Sequence, residues 1–157
     1  SFIITFINLN SKLEISMIRS VLEIIYLSSI IYLIFLYLNL FRKVVNLRRK
    51  TKTSIGFKNK ELERAIRAHG NFCETVPFGI LLTFILYFNN LLYFAVPSIL
   101  MLCIGRKIHS NAILDLNEDT SLRVKGMRMT VKSIQLAILG VVFYILQLIY
   151  FLVVVNI

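Results

Sequence analysis

An all-α membrane protein with a bundle of four transmembrane helices is the fold class that this sequence predicts. Of its 157 residues, 57% are hydrophobic, and the mean hydropathy of +0.77 is far from that of an average soluble domain. Four apolar stretches are long enough to cross a bilayer, and basic segments separate the first from the second and the third from the fourth. We therefore expect one membrane domain at residues 18–157, preceded by a peripheral N-terminal extension at residues 1–17.

The first predicted span is Val21 to Phe41, which would extend about 30 Å as a helix. A basic segment follows from Arg42 to Lys60, with eight basic residues and no acid until Glu61. Positive residues concentrate in the cytoplasmic loops of membrane proteins. This segment is therefore predicted to be a cytoplasmic loop, with Gly56 in a turn.

The second and third predicted spans are joined by a very short turn. The second runs from about Leu62 to Phe88 and contains Pro77, which removes one backbone donor and favours a kink. Asn89 and Asn90 form the turn, and the third span runs from about Leu91 to Ile113. Because the turn carries no charge, we expect it on the translocated side of the membrane.

The fourth predicted span follows an acidic loop and continues through Leu136 to Val155. Its first turns carry four basic residues: Arg123, Lys125, Arg128 and Lys132. Four spans with both basic loops facing the cytoplasm place both chain termini on the non-cytoplasmic side.

The net charge of +10 is also typical of proteins that bind nucleic acid. Here the basic residues lie between apolar segments, so membrane topology explains them and we expect no nucleic-acid partner. Cys73 and Cys103 lie in apolar stretches, where a free thiol behaves as a small hydrophobic side chain. Metal-ligand spacings, a phosphate-binding glycine-rich loop and a Ser/His/Asp order are all absent from the sequence, so we predict no metal site.

A polar stripe enters the second apolar stretch within residues 63–77. At about 100° per residue, its members fall within roughly a third of the helix circumference. They are Glu63, Arg64, Arg67, Asn71 and Glu74. Ionisable groups in a membrane cost about 2.5 to 3.5 kcal/mol each and usually face a protein interior or a water-filled cavity. The stripe is therefore predicted to bind or pair with something polar, whereas His69, on the opposite side, is expected to pack.

The same segment resembles the MAPEG family, the membrane-associated proteins in eicosanoid and glutathione metabolism. The family pattern E-R-x-x-R-A-x-x-N-x-x-E-x-x-P is matched by Glu63, Arg64, Arg67, Ala68, Asn71, Glu74 and Pro77. The first predicted helix with the NLRRKTKTSIG that follows it, the GRKIH at residues 105–109 and the LRVKGM around Arg123 are similar to the small bacterial-type branch. The resemblance thus covers about residues 20–150.

The resemblance implies a four-helix protomer, a homotrimer, and glutathione bound as a co-substrate between protomers near the cytoplasmic face. The glutathione contacts that it implies are Arg64, Arg67, Asn71, Glu74 and His109. Arginine, amide and carboxylate groups suit a tripeptide that carries two carboxylates and one ammonium group. By the same resemblance Arg123 is the catalytic arginine, which activates the thiol by stabilising the thiolate. Ile113 departs from the family, because several members have a tyrosine there that touches glutathione.

Two functions remain open at this point. The first is a glutathione transferase or peroxidase that acts on lipophilic electrophiles entering from the bilayer. The second is a non-catalytic relative that serves as a structural or accessory subunit of a larger membrane complex. For the stripe itself, the alternative to ligand binding is an interhelical ion-pair network that only fixes trimer packing, with Arg67 and Glu74 compensating each other across two turns.

Overall fold

The computed structural model describes residues 2–118 and 120–155, with the side chains of residues 14–118 and 120–154. The described chain forms four helices: α1 (Phe2–Thr51), α2 (Lys60–Phe88), α3 (Leu92–Leu114) and α4 (Thr120–Val155). Each is long and apolar enough to cross a membrane. The predicted all-α, four-span fold is therefore confirmed.

Helix α1 is longer than the sequence predicted. It continues without interruption beyond both ends of the expected span, Val21 to Phe41, and takes up much of the expected basic loop. Three basic residues, Arg48, Arg49 and Lys50, lie in its last turn, where cations interact favourably with the helix dipole. The assignment of residues 1–17 to a peripheral extension stays a prediction.

The loop between α1 and α2 is shaped by one arginine. The Arg48 guanidinium donates to the carbonyl oxygens of Ser54 and Gly56, at 2.9 and 3.2 Å. Gly56 has a φ of +75°, a backbone conformation that glycine adopts at little cost, and it lies in a bend of the loop where the sequence predicted a turn. The basic loop is therefore residues 52–59, held against the end of α1.

Asparagines flank α2 at both ends. The Asn59 side chain accepts a hydrogen bond from the Leu62 amide at 2.8 Å and so caps the N-terminus. At the other end Asn90 adopts a φ of +61°, which asparagine tolerates better than most residues. This tight turn makes α2 and α3 antiparallel neighbours and leaves both longer loops at the opposite end of the bundle.

Helices α2 and α3 lie at the centre of the bundle. Each packs against the other three helices, while α1 and α4 make no contact with each other in the described chain. The core contains Leu33 from α1, Phe72 from α2, Ile99 and Leu102 from α3, and Ala137 from α4. Many other apolar side chains face outward, as expected of a bundle that is surrounded by lipid.

The α3–α4 contact is close because glycines lie at the crossing. A Cβ atom on Gly105 would lie 2.9 Å from the Thr130 backbone nitrogen, and one on Gly126 would meet the His109 backbone. Small residues allow this approach between membrane helices. The start of α4 is thereby held against the end of α3, which is where the candidate site lies.

Candidate functional site

A cavity of about 450 Å³ lies at the end of the bundle where α2 and α4 begin and α3 ends. Small-molecule sites are typically about 300 to 1,000 Å³. The residues that line it are Lys60, Glu63, Arg64, Arg67, Asn71, His109, Ile113, Arg123 and Met127. Four cations and one carboxylate face this cavity, so its charge favours an anionic ligand.

Five of the six site residues predicted from the sequence line this cavity: Arg64, Arg67, Asn71, His109 and Arg123. The sixth, Glu74, does not. It is exposed on α2, about 20 Å along the helix from Lys60 at 1.5 Å per residue. Within a single chain Glu74 therefore lies outside the cavity, whereas the other carboxylate of the stripe, Glu63, lines it.

Arg64 ties α2 to the end of α3. Its guanidinium donates to the carbonyl oxygens of Ile113 and Ala112, in the last turn of a helix, where carbonyls lack intrahelical partners. Its Nη2 also donates to Glu118 Oε2 at 2.7 Å. Arg64 thus faces the cavity with most of its hydrogen-bonding capacity already in use.

Glu118 joins two of the site arginines. Besides Arg64, it forms an ion pair with Arg123, whose Nη1 lies 2.8 Å from Oε1, although the angle there is not that of a hydrogen bond. The Arg64 hydrogen bond, aided by the charge of Arg123, holds the pKa of the Glu118 carboxyl below its ordinary value of 4.5. Glu118 is therefore ionised at neutral pH and positions the Arg123 guanidinium.

His109 presents one free ring nitrogen. Its Nδ1 lies 2.9 Å from the Arg123 carbonyl oxygen, which can only accept, so Nδ1 is the donor. In the neutral ring this leaves Nε2 as an acceptor, and Nε2 is buried without a partner among residues 2–118 and 120–155. A ligand in the cavity could supply that partner.

The side chains of Arg67 and Asn71 are not engaged by other groups in the described part of the chain. Arg67 is exposed, and neither its guanidinium nor the Asn71 amide has a hydrogen-bond or ion-pair partner there. The pairing of Arg67 with Glu74, the structural alternative for the stripe, does not form within this chain. Both side chains are thus available to a ligand.

Arg106 is a residue whose importance the sequence did not reveal. It is 0% exposed, and its Nη1 donates to the Asn71 carbonyl oxygen at 3.1 Å and to Thr75 Oγ1 at 2.6 Å. These bonds link α3 to the part of α2 that carries Asn71, a member of the polar stripe. An arginine at the end of an apolar stretch has the same sequence signature whether it is buried or reaches the headgroups, so the sequence could not distinguish the two.

His69 lies outside the cavity, on the other side of α2. Its ring centroid is 5.2 Å from that of Tyr37 and 6.0 Å from that of Phe41, both on α1. Its Nε2 also lies 3.7 Å from the Cys73 sulfur. These contacts agree with the packing role that its position opposite the stripe predicted.

The fold and the site together define a multi-pass integral membrane protein with a cationic cavity at one end of its bundle. The chain belongs to the MAPEG family, whose sequence model matches residues 26–146. The matched range contains every residue that lines the cavity. A comparison with curated proteins finds no match. The resemblance seen in residues 63–77 is therefore confirmed at the level of the family.

Proposed function

We propose that this protein binds glutathione in the cationic cavity and uses it as a co-substrate in a transferase or peroxidase reaction on lipophilic electrophiles. Membership of the MAPEG family supports a role in glutathione chemistry. The observation that carries the proposal is the convergence of Arg67, Asn71, His109 and Arg123, from three helices, on one cavity. These groups match the anionic and peptide groups of glutathione.

We assign the polar side chains of the cavity, and Glu74 beside it, to different parts of the tripeptide. Arg67 pairs with a carboxylate, because a guanidinium offers two parallel donors to its two oxygens. The Asn71 amide takes a peptide group, and His109 Nε2 accepts a hydrogen bond from the ligand. Arg64 contributes positive charge, although its guanidinium also forms an ion pair with Glu118. Glu74 is assigned to the ammonium group.

Arg123 is assigned to the thiol. An unperturbed thiol has a pKa of about 8.5, and a neighbouring cation lowers it by stabilising the thiolate. The Arg123 side chain is 45% exposed and lies in the first turn of α4, where the helix dipole also favours an anion. Arg123 thereby increases the fraction of the nucleophilic thiolate at neutral pH.

An apolar groove beside the cavity supports a lipophilic second substrate. It has a volume of about 340 Å³ and runs along α4. Val124, Met127 and Val131 form its apolar surface, and Arg128, Lys132 and Gln135 border it. Met127 also lines the cationic cavity. An electrophile that entered this groove from the bilayer would approach the cavity from the side of Arg123.

Exposure of the stripe supports a homotrimer in which a second copy completes the site. Arg67 and Glu74 are exposed on a single chain, and Glu74 lies where α2 is already apolar. An ionised group that faces lipid costs about 2.5 to 3.5 kcal/mol. A neighbouring protomer that covers this face removes that cost and brings Glu74 into an interprotomer site.

The sidedness of the protein is proposed from its charges. The loop at residues 52–59 and the first turns of α4 are basic and lie at one end of the bundle, whereas the Asn89–Asn90 turn at the other end is uncharged. The positive-inside rule then places both termini on the non-cytoplasmic side. Labelling of Lys50→Cys and Asn90→Cys variants with a membrane-impermeant reagent tests this, and labelling from the same side would contradict it.

A non-catalytic accessory subunit of a larger membrane complex is the second candidate function. Two observations favour it: Glu118 already pairs with Arg123, and Ile113 brings no hydroxyl group to the cavity. Such a subunit could bind glutathione without activating its thiol. The two candidate functions therefore differ in whether bound glutathione forms a thiolate and in whether the protein turns over an electrophile.

The proposal is tested by the reaction itself. Purified protein in nanodiscs is supplied with glutathione and chloronitrobenzene, while the ultraviolet absorbance of the thiolate is followed. Conjugation together with a thiolate signal supports the transferase. Binding of glutathione without either signal supports the accessory subunit. The absence of binding at millimolar glutathione contradicts the transferase and leaves the structural or accessory role.

A further inference from the structure

Helix α4 carries a second basic face that does not line the cationic cavity. Lys125, Arg128 and Lys132 are spaced i, i+3, i+7 and fall within about 60° of the helix circumference at 100° per residue. Arg123 is about 160° away from Lys125 on the same measure. The cation assigned to the thiol and the other three therefore point to different sides of α4.

These three cations border a cavity of about 740 Å³ between α3 and α4. All three side chains are exposed, and none has a hydrogen-bond or ion-pair partner in the described part of the chain. The other lining residues are Met101, Thr120, Ser121, Val124 and Met129. The cavity thus combines positive charge, hydroxyl groups and apolar side chains.

The level of the three cations along α4 is that of lipid headgroups. Residues 134–155 are almost entirely apolar, and as a helix they extend about 33 Å, close to the thickness of roughly 30 Å of a bilayer's hydrocarbon core. Lys132 lies just before them, and long basic side chains at such positions reach toward the phosphates. Positive-inside sorting accounts for cations at this level, but not for their alignment beside a cavity.

We propose that this face binds an anionic phospholipid, with its phosphate between Lys125, Arg128 and Lys132. Its acyl chains pack against Met101 and Met129. Charge complementarity selects this occupant, because anionic headgroups attract juxtamembrane basic residues and the same cavity offers an apolar surface for the chains. None of the three cations lines the cavity proposed for glutathione, although Arg128 and Lys132 also border the apolar groove beside it.

The test measures lipid retention by native mass spectrometry after extraction from nanodiscs that contain phosphatidylglycerol and phosphatidylcholine. The variant Lys125→Gln/Arg128→Gln/Lys132→Gln is compared with Arg49→Gln/Lys50→Gln/Lys52→Gln, which removes the same charge at the same end of the bundle. We expect the α4 variant to lose affinity for phosphatidylglycerol by about tenfold or more. The control should stay within about twofold of the wild type.

Equal losses of phosphatidylglycerol retention in both triple variants would show only diffuse attraction of the lipid to positive charge and would contradict the site. Unchanged retention in the α4 variant would also contradict it. Should the triple variant fail to fold, the single change Arg128→Gln and a competition experiment on the wild type decide instead. Glycerol 3-phosphate at millimolar concentration should not displace bound phosphatidylglycerol. Full displacement would mean that the site takes free phosphate, and the lipid proposal would be wrong.

Discussion

A Cβ atom on Gly126 would lie 2.5 Å from the backbone nitrogen of His109, so α3 and α4 are in backbone contact at this point. Three residues before Gly126, α4 carries Arg123, whose carbonyl oxygen accepts the hydrogen bond from His109 Nδ1. The glycine therefore fixes the distance between two side chains that line the cavity. A larger residue at this position would separate them.

Gly126→Ala is expected to weaken glutathione binding and to lower the melting temperature of the protein. The added methyl group must push the helices apart, and overpacking of this kind typically costs about 1 to 3 kcal/mol. Gly70→Ala is the control for packing within the protomer, because a Cβ atom there would meet nothing of its own chain within 4 Å. Equal behaviour of the two variants in glutathione titrations and thermal unfolding would contradict a crossing held by Gly126.

Arg123→Leu should lower turnover with chloronitrobenzene about tenfold to a hundredfold. The reason is the loss of a charge-assisted hydrogen bond to the thiolate, worth about 1.5 to 3 kcal/mol. The thiolate absorbance of the bound complex should fall in parallel. Arg49→Leu, at the exposed end of α1, removes the same charge and should keep both signals. Full activity in Arg123→Leu would contradict the assignment of Arg123 to the thiol.

Much of the fold could be predicted because membrane spans and the polar stripe are local sequence features. The predicted second span, Leu62 to Phe88, and third span, Leu91 to Ile113, each agree with the structure to within two residues at either end. The first span was predicted too short. Hydropathy marks where a chain enters lipid, but a helix continues into polar sequence as long as nothing ends it, as α1 does up to Thr51.

The candidate site could be predicted only in part, because its long-range contacts leave no local pattern. Arg67 and Asn71 could be predicted to lie together because they share one helical face. Glu118 pairs with Arg64 across 54 residues of sequence, and its neighbours in an acidic loop look equivalent to it. Glu74 was predicted with the cations, but within one chain it lies outside the cavity they line.

Acid should destabilise the protein through Glu118. Its pKa is lowered in the folded state by the Arg64 hydrogen bond and the Arg123 charge. The stabilisation is therefore complete above the ordinary value of 4.5 and is lost as the pH falls through the lowered pKa. Melting temperatures measured between about pH 7 and pH 3 should fall less steeply in Glu118→Gln than in the wild type. Glu14→Gln, an exposed control on α1, should follow the wild-type curve. A slope in Glu118→Gln equal to that of the wild type would contradict a stabilising interaction of Glu118 with Arg64 and Arg123.

A homotrimer is expected in native mass spectrometry of the purified protein. The exposed Arg67 and Glu74 should be covered by a neighbouring protomer, so Glu74→Gln should weaken glutathione binding although Glu74 lies outside the cavity of its own chain. Glu23→Gln, a change near the opposite end of the bundle, is the control. A stable monomer that binds glutathione as tightly as the assembled protein would contradict a site shared between protomers.

Glutathione binding by the wild-type protein is the measurement that tests the account most directly. Isothermal titration of the protein in nanodiscs should show saturable binding at or below millimolar glutathione, and Arg67→Leu should weaken it about tenfold or more, because a charge-assisted hydrogen bond contributes about 1.5 to 3 kcal/mol. Arg49→Leu should leave the affinity unchanged. If the wild type binds no glutathione at millimolar concentration, the stripe on α2 is structural and the proposed function is wrong.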